Sequence, residues 1–309
     1  RCGPENMDST ENRNQNRLDR HPCFNRFAKE LYGRVHLPIA HDCNIQCNYC
    51  DRRYHCIHES RPGVSCGLLE PDRVLPYLDA VLKRHPNISV VGVAGPGDPF
   101  CDPAQTIGIM RQIHQTHPDL LLCLSTNGLR MADYVGEMIA AGVTHVTLTV
   151  NAVEPAIGQR IYAWARIGDK LYRGREAAAL LWARQQESLL RLKEFGVTVK
   201  VNTVVIPGIN SDHIEAIAEC LRGFAVDLMN CIPLYPVVGT PFEHIATVSG
   251  PELERIRAAA AKHVPLMRHC VRCRADAVGL LHSDRFCEFE EFMSHQEVET
   301  MPTSWRSMA

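Results

Sequence analysis

The chain has 309 residues, 45% of them apolar and 22% charged, and its 33 basic and 35 acidic side chains leave a net charge of −2. Such a composition describes a folded globular protein with a sizeable core, and the balanced charge leaves no basic field to attract nucleic acid. No apolar run is long enough to cross a bilayer and the polar opening RCGPENMDSTENRNQNRLDR lacks a signal-peptide core, so a cytoplasmic protein without membrane contact is expected.

In chain order, residues 1–20 are too polar to pack and are expected to be disordered. Runs rich in Val, Ile, Leu and Thr at 34–40, 88–95, 120–127, 145–151, 197–206 and 226–234 read as six buried strands. Helical segments separate them. PAQTIGIMRQIHQTH follows the second strand, and MADYVGEMIAAG follows the third and stops at Gly142. SDHIEAIAECLRGF follows the fifth with Ser211 as N-cap, and SGPELERIRAAAAKH follows the sixth with Ser249 as cap and Pro251 in its first turn. The long interval 159–196, between the fourth and fifth strands, reads as two helical pieces around Gly168 and Gly174. Strands alternating with helices imply an α/β fold with a parallel sheet and outer helices. Six such units close as a partial barrel or lie flat as a doubly wound sheet.

The chain carries 14 cysteines, many for its size. Cytosolic thiols stay reduced and a chain this long needs no disulfide staples, so metal or catalytic use is expected. The densest stretch is CNIQCNYC, where Cys43, Cys47 and Cys50 are spaced C-x3-C-x2-C. It lies just after the first expected strand, at the edge where βα loops of parallel folds carry chemistry. A zinc site could join Cys47 and Cys50 to the later CVRC pair, Cys270 and Cys273, but would leave Cys43 without a role. Three closely spaced thiolates can instead hold three irons of a [4Fe–4S] cube and leave the fourth iron open.

The motif in this position resembles the radical S-adenosylmethionine (SAM) superfamily. The resemblance implies a partial (β/α)6 TIM-like barrel with a SAM cluster held by Cys43, Cys47 and Cys50. In that family the open iron chelates the amino and carboxylate groups of SAM, which is cleaved to methionine and a 5′-deoxyadenosyl radical. Tyr49, just before the last cysteine, fits an aromatic frequent there in the family. AGPGDP (94–99) resembles the family's glycine-rich motif, so the backbone at Gly95 and Gly97 and the Asp98 carboxylate are candidates to meet the methionine ammonium. STNG and VNAVEP end the third and fourth strands with small polar residues. Ser125, Thr126, Asn127 and Asn151 are candidate SAM contacts, with Asn202 a further one; the same residues also read as turn and cap positions.

Cys23 in HPCF, Cys56 in YHCIHESRPG, Cys123 in LLCLSTNG, and Cys270 and Cys273 in CVRCRADAVG together resemble the NifB family of nitrogenase-cofactor maturases. The resemblance runs from about residue 21 to 280, and in lacking a NifX-like C-terminal domain the chain is similar to the family's short form. It implies three regions: a disordered segment 1–20, a barrel at 21–280 with cluster-binding extensions folding over its mouth, and a partly disordered tail at 281–309. It also implies a carbide synthase. Two further [4Fe–4S] clusters serve as substrates, one SAM donates a methyl group to cluster sulfide, and a radical from a second abstracts hydrogen from that methyl. The clusters fuse into the eight-iron precursor of the nitrogenase cofactor.

Implied partners are iron–sulfur donors and cofactor carrier or scaffold proteins of nitrogenase assembly, in an anaerobic or oxygen-protected cytoplasm. Three clusters with three protein ligands each need one ligand more than the eight motif cysteines, and His21 or His36 could supply it. Glu59 and Arg61 are candidate catalytic residues on the loop after the SAM-cluster motif, and Arg274 and Asp276 candidates to orient the CVRC thiolates. Cys2, Cys66, Cys101, Cys220, Cys231 and Cys287 match no motif. Another radical SAM enzyme with auxiliary clusters, or a non-enzymatic iron–sulfur scaffold, are the competing readings.

Overall fold

The structure, a computed structural model, describes residues 19–51 and 61–294. Its main sheet contains six parallel strands: β1 (Gly33–His36), β3 (Ile88–Val93), β4 (Leu121–Thr126), β5 (Val143–Thr149), β8 (Thr198–Val205) and β9 (Leu228–Pro233). They pair side by side in chain order, and the sheet curls into the expected half-barrel. A hairpin of β10 (Val278–Leu280) and β11 (Ser283–Asp284) adds antiparallel to the outer edge of β1. A separate three-stranded sheet joins β2 (Ile45–Cys47), β6 (Tyr162–Ile167) and β7 (Lys170–Arg173).

Alternation along the strands builds the two faces. Leu122, Leu124, Val146, Leu148, Val199 and Val201 belong to one core with Met110, Ile113, Met138, Leu189 and Leu192 of the surrounding helices. The residues between them face the lumen, and there the register aligns His36 with Gly92, Gly92 with Cys123 and Cys123 with His145. One step further, Ser125 aligns with Thr147 and Thr147 with Lys200. Branched apolar side chains usually fill such a barrel. This lumen is polar, as a binding cavity requires.

Several expectations need correction. The interval 159–196 holds one long helix, Gly174–Glu194, while its first part is the β6–β7 hairpin turning through Gly168. YAWARI has the aromatic and alternating character of a strand, and β6 pairs antiparallel with the cysteine-bearing β2. Ser211 opens a 3₁₀ turn instead of capping the helix Ile214–Gly223. Asn210 ties this corner: its Oδ1 accepts from Ile206 N (2.7 Å) and its Nδ2 donates to the carbonyls of Val204 (2.8 Å) and Asn151 (2.9 Å). Ser249 does cap Gly250–Ala260, accepting from Glu252 N at 3.4 Å.

The boundary at 280 falls inside the β10–β11 hairpin, and beyond it Phe286, Phe289 and Met293 join the main core. Residues 1–18 and 295–309 lie outside the described residues.

The extensions run beside the strands. Arg20 O accepts from Ser89 Oγ near the start of β3 (2.6 Å), and Phe24 packs on His145 near the start of β5. The stretch after β9 continues beside it, with Met229 N donating to Pro265 O (2.8 Å), and then meets β1, where Arg274 O contacts His36 Nδ1 (2.8 Å). Both extensions therefore reach the lumen alongside the strands.

Candidate functional site

At the C-terminal mouth, the loop after β1 carries Cys43, Cys47 and Cys50, all partly exposed. β2 sets Cys47 opposite Tyr162 of β6. Gln46 Nε2 donates to the carbonyls of Cys47 (3.0 Å) and Cys50 (2.9 Å), curling the motif back on itself. Asn127, just past β4, reaches across: its Nδ2 donates to Asn44 Oδ1 at 2.7 Å and stands 3.7 Å from Cys43 Sγ.

Behind Asn127 lies the buried Asp98. Its Oδ2 accepts from Asn127 N (2.7 Å) and Thr126 Oγ1 (2.9 Å), and its Oδ1 from Phe100 N (3.0 Å). Burial raises the Asp98 pKa while these donors oppose the rise. The carboxylate expected to meet SAM thus already holds Thr126, Asn127 and Phe100 in place. The glycine-rich loop is stitched to the cysteine loop by Gly97 N to Ala40 O (2.6 Å) and Asp98 N to Asp42 O (2.7 Å). A Cβ at Gly97 would overlap the Asp42 carbonyl, so the approach requires glycine. Gly95 lies against Gly63 and Ala275.

Asn151 is wholly buried and plays a similar part. Its Nδ2 donates to Tyr49 Oη (2.9 Å) and its Oδ1 accepts from Val204 N (2.9 Å). Burial, and then the nearby Cys47, push the Tyr49 phenol well above its ordinary range, so it stays neutral. Asn202 Oδ1 accepts from Asn230 Nδ2 (3.2 Å), and partly exposed Ser125 lines the lumen below.

Four residues below Asn127 on β4, about 13 Å along the strand, Cys123 belongs to a second group of thiols. Cys23 comes from the N-terminal extension, and Cys270 and Cys273 from the segment after β9. All four bear on the Lys200 ammonium of β8 and raise its pKa against the opposing effect of burial. Burial pushes the Cys123 thiol up to about 12 and Cys273 up to about 11, so both are protonated near neutral pH and a metal would have to displace the proton. Arg34, 1% exposed, donates from Nη2 to Cys273 Sγ (3.4 Å) and Asp284 (3.0 Å), and from Nη1 to the carbonyls of Gly279 (2.7 Å) and Leu280 (3.0 Å). Arg272, at φ 57°, adopts the left-handed region rare for side-chain-bearing residues, and its N–H donates to Cys270 Sγ at 3.4 Å.

Two histidines border this group. His36 Nδ1 bonds the Arg274 carbonyl (2.8 Å) and must carry the proton there, which leaves Nε2 as a lone pair. Burial, and then Arg34, push His36 down to about 4, so it is neutral as a metal-ligating imidazole must be. A Cβ at Gly92 would meet His36 Cδ2 and the Cys123 carbonyl at 3.4 Å, so glycine leaves room between them. His21 has the opposite tautomer: Nδ1 accepts from Cys23 N (3.1 Å), and Nε2 is buried without a hydrogen-bond partner among the described residues.

The zinc arrangement is not what this geometry builds. Cys47 and Cys50 are at the mouth, Cys270 and Cys273 beside Lys200 in the lumen. Among the described residues, no three His, Cys, Asp or Glu side chains converge on one ion. The donor sets suit polynuclear clusters, with soft thiolates borne on separate segments.

Of the remaining candidates, Cys56 and Glu59 lie outside the described residues. Arg61 is buried and donates to Asp51 O (3.2 Å), tying its loop to the cysteine loop. Arg274 and Asp276 do not orient the CVRC thiolates as expected. They form a buried ion pair (2.8 Å) whose carboxylate also accepts from Cys66 N (2.7 Å), because these side chains face the 65–67 turn. The Arg34 side chain and the Arg272 backbone N–H are the groups seen on CVRC thiols. Lys200 and Arg34 were missed, although a lysine inside the valine-rich run VTVKVNTVV is itself a signal. Cys66 and Cys231 are buried, Cys101 and Cys220 partly exposed and Cys287 exposed.

Residues 37–221 match the Radical SAM superfamily. The FeMo cofactor biosynthesis protein NifB of Chlorobaculum tepidum is 48% identical over 264 residues, covering 85% of this chain and 62% of that protein. NifB of Klebsiella pneumoniae is 42% identical over 276 residues, covering 88% and 59%. The chain thus spans only about three fifths of the length of these relatives. Streptococcus suis SuiB, solved bound to S-adenosylmethionine, superposes with a TM-score of 0.56 at 12% identity over 86% of this chain and 56% of that one. Methylornithine synthase (PylB) superposes at 0.50 and 12% identity over 99% and 87%. These two share the fold.

Proposed function

The chain belongs to the radical SAM superfamily, and from that premise we propose that it acts in nitrogenase cofactor biosynthesis as a carbide synthase. Its substrates are SAM and two [4Fe–4S] clusters, and its product is an eight-iron, carbide-containing precursor. Similarity to NifB proteins of that pathway supports the assignment, and the observation that carries it is the pair of thiol groups stacked in one lumen. Cys43, Cys47 and Cys50 would hold the SAM cluster at the mouth, where it supplies the electron that cleaves SAM. Asn127 orients the cysteine loop through Asn44, and Asn151 holds the Tyr49 phenol beside Cys47. Ser125 and Asn202 line the space where SAM must lie between the two groups.

Below, Cys23, Cys123, Cys270 and Cys273 would hold the substrate clusters, with Cys56 a further ligand and His36 the nitrogen ligand. The His36 tautomer presents Nε2 as a lone pair, whereas that of His21 does not. A ligand on neutral imidazole is released more readily than a thiolate, which suits a cluster that must fuse. Carrier or scaffold proteins would deliver the clusters and receive the product.

The test is anaerobic reconstitution followed by iron analysis and EPR with and without SAM. About twelve irons per chain are expected. Changing Cys43, Cys47 and Cys50 together to Ala should leave about eight irons and abolish SAM cleavage. Changing Cys270 and Cys273 to Ala should spare the SAM-responsive signal and abolish precursor formation. A Cys270/Cys273 variant that still yields full precursor overturns the assignment.

A further inference from the structure

Lys200 is 7% exposed, the third residue of β8, facing the lumen instead of the helices. Among the described residues its ammonium makes no hydrogen bond or ion pair; its one aromatic neighbour is Phe24, with Nζ 5.6 Å from the ring centroid. Burying an ammonium without a compensating anion costs several kcal/mol. The groups around it are the thiols of Cys23, Cys123, Cys270 and Cys273, four potential anions from three separate segments of the chain. Arg34, the other buried cation here, already bonds two carbonyls and Asp284 besides Cys273. Lys200 has no such fixed commitments.

We propose that Lys200 is the counter-ion of the lower thiol pocket, a positioning residue whose ammonium offsets the negative charge of an iron–sulfur cluster held there. The inference rests on reading that pocket as a cluster site. Phe24 lies on the same extension as Cys23, so the segment that brings a thiol also covers the ammonium and excludes water. A compact ammonium carries three donors and can turn them toward sulfide or thiolate sulfur. Positive charge and hydrogen bonds to sulfur both favour the reduced cluster, so Lys200 raises the pocket's reduction potential and helps retain its iron.

The test uses the full chain with Cys43, Cys47 and Cys50 changed to Ala, which isolates the lower pocket, reconstituted anaerobically with iron and sulfide. Into it are placed Lys200→Met, Lys200→Gln and Lys200→Arg. Iron per chain, EPR-monitored midpoint potential and melting of the metal-free protein are measured. The expected result is that each neutral variant becomes at least tenfold harder to reduce, about 59 mV for a one-electron couple, or loses half or more of the iron. Lys200→Arg should keep both properties within twofold. Glutamine serves as the second neutral variant if methionine prevents folding. Unchanged iron and potential in a folded neutral variant overturn the proposal, as does an arginine variant as impaired as the neutral ones. A parent that takes up no iron overturns the reading of the pocket itself, an outcome distinct from failure at Lys200.

Discussion

Gly97→Ala should uncouple the SAM site while leaving the lower pocket intact. The new methyl group meets backbone, not a yielding side chain: Asp42 O first, with the carbonyl oxygen of His41 at 2.8 Å. To admit it, the glycine-rich loop must withdraw from the cysteine loop and give up the bonds Gly97 N–Ala40 O and Asp98 N–Asp42 O. Two such bonds contribute about 1–3 kcal/mol and overpacking costs about 1–3 kcal/mol, so a loss of roughly 2–6 kcal/mol is expected. Withdrawal also carries Asp98 away from Thr126 and Asn127, and with them the partner of Cys43. Denaturant unfolding measures the stability, and SAM titration of the EPR spectrum measures the site. At least a tenfold weaker SAM response is expected, with about eight irons still held below. Gly136→Ala is the control, because nothing lies within 4 Å of its added methyl group. A Gly97→Ala protein with parental stability and SAM response would refute the reasoning.

Arg34→Met removes donors to Gly279, Leu280, Asp284 and Cys273, and should cost about 3–5 kcal/mol of stability in denaturant unfolding. Burial pushes Cys66 up to about 12 and Cys231 up to about 11, so in the folded metal-free protein at about pH 8 both should resist alkylation while exposed Cys287 is labelled. Mass spectrometry of labelled peptides checks this, and equal labelling of Cys66 and Cys287 would contradict the packing. Ser125→Leu should fill the lumen between the thiol groups, keeping about twelve irons but reducing product formation at least tenfold.

Much of the barrel could be read from the sequence because each parallel strand is an apolar run of its own. The run at 197–206 and the observed strand Thr198–Val205 differ by one residue at each end. Residues 162–173 misled because their partner is remote: only pairing with β2 makes YAWARI a strand, and the local pattern holds no trace of that partner. The cysteines at the mouth declared themselves by spacing. The neighbour-holding bonds of Asp98 and Asn151 were not legible, since a polar side chain at a strand end looks the same whether it faces a ligand or holds a neighbour. Lys200 and Arg34 lay outside every motif. What distinguishes them is burial, and a charged residue in a strand shows its burial only when the far segments that cover it are in place.

The two thiol groups share one rigid element, and that constrains how they work together. Cys123 lies near the middle of β4 and Asn127 just past its end, so their separation is set largely by the strand's backbone. The neighbouring strands repeat the arrangement, with His145 and Thr149 four residues apart on β5. Such a frame cannot shorten. Any approach between what is held at the mouth and what is held below would have to come from outside the strands, where the N-terminal segment carries Cys23 and the CVRC segment Cys270 and Cys273. The N-terminal segment is tied to the sheet by Ser89 Oγ to Arg20 O, the CVRC segment by Met229 N to Pro265 O, His36 Nδ1 to Arg274 O and Arg34 Nη2 to Cys273 Sγ, and the two to each other by His269 Nε2 and Pro22 O at 2.9 Å. The proposed fusion of two clusters would need ligands that shift while the SAM site stays fixed. With Cys123 on the strand and its three companions on the extensions, the labour would divide in that way.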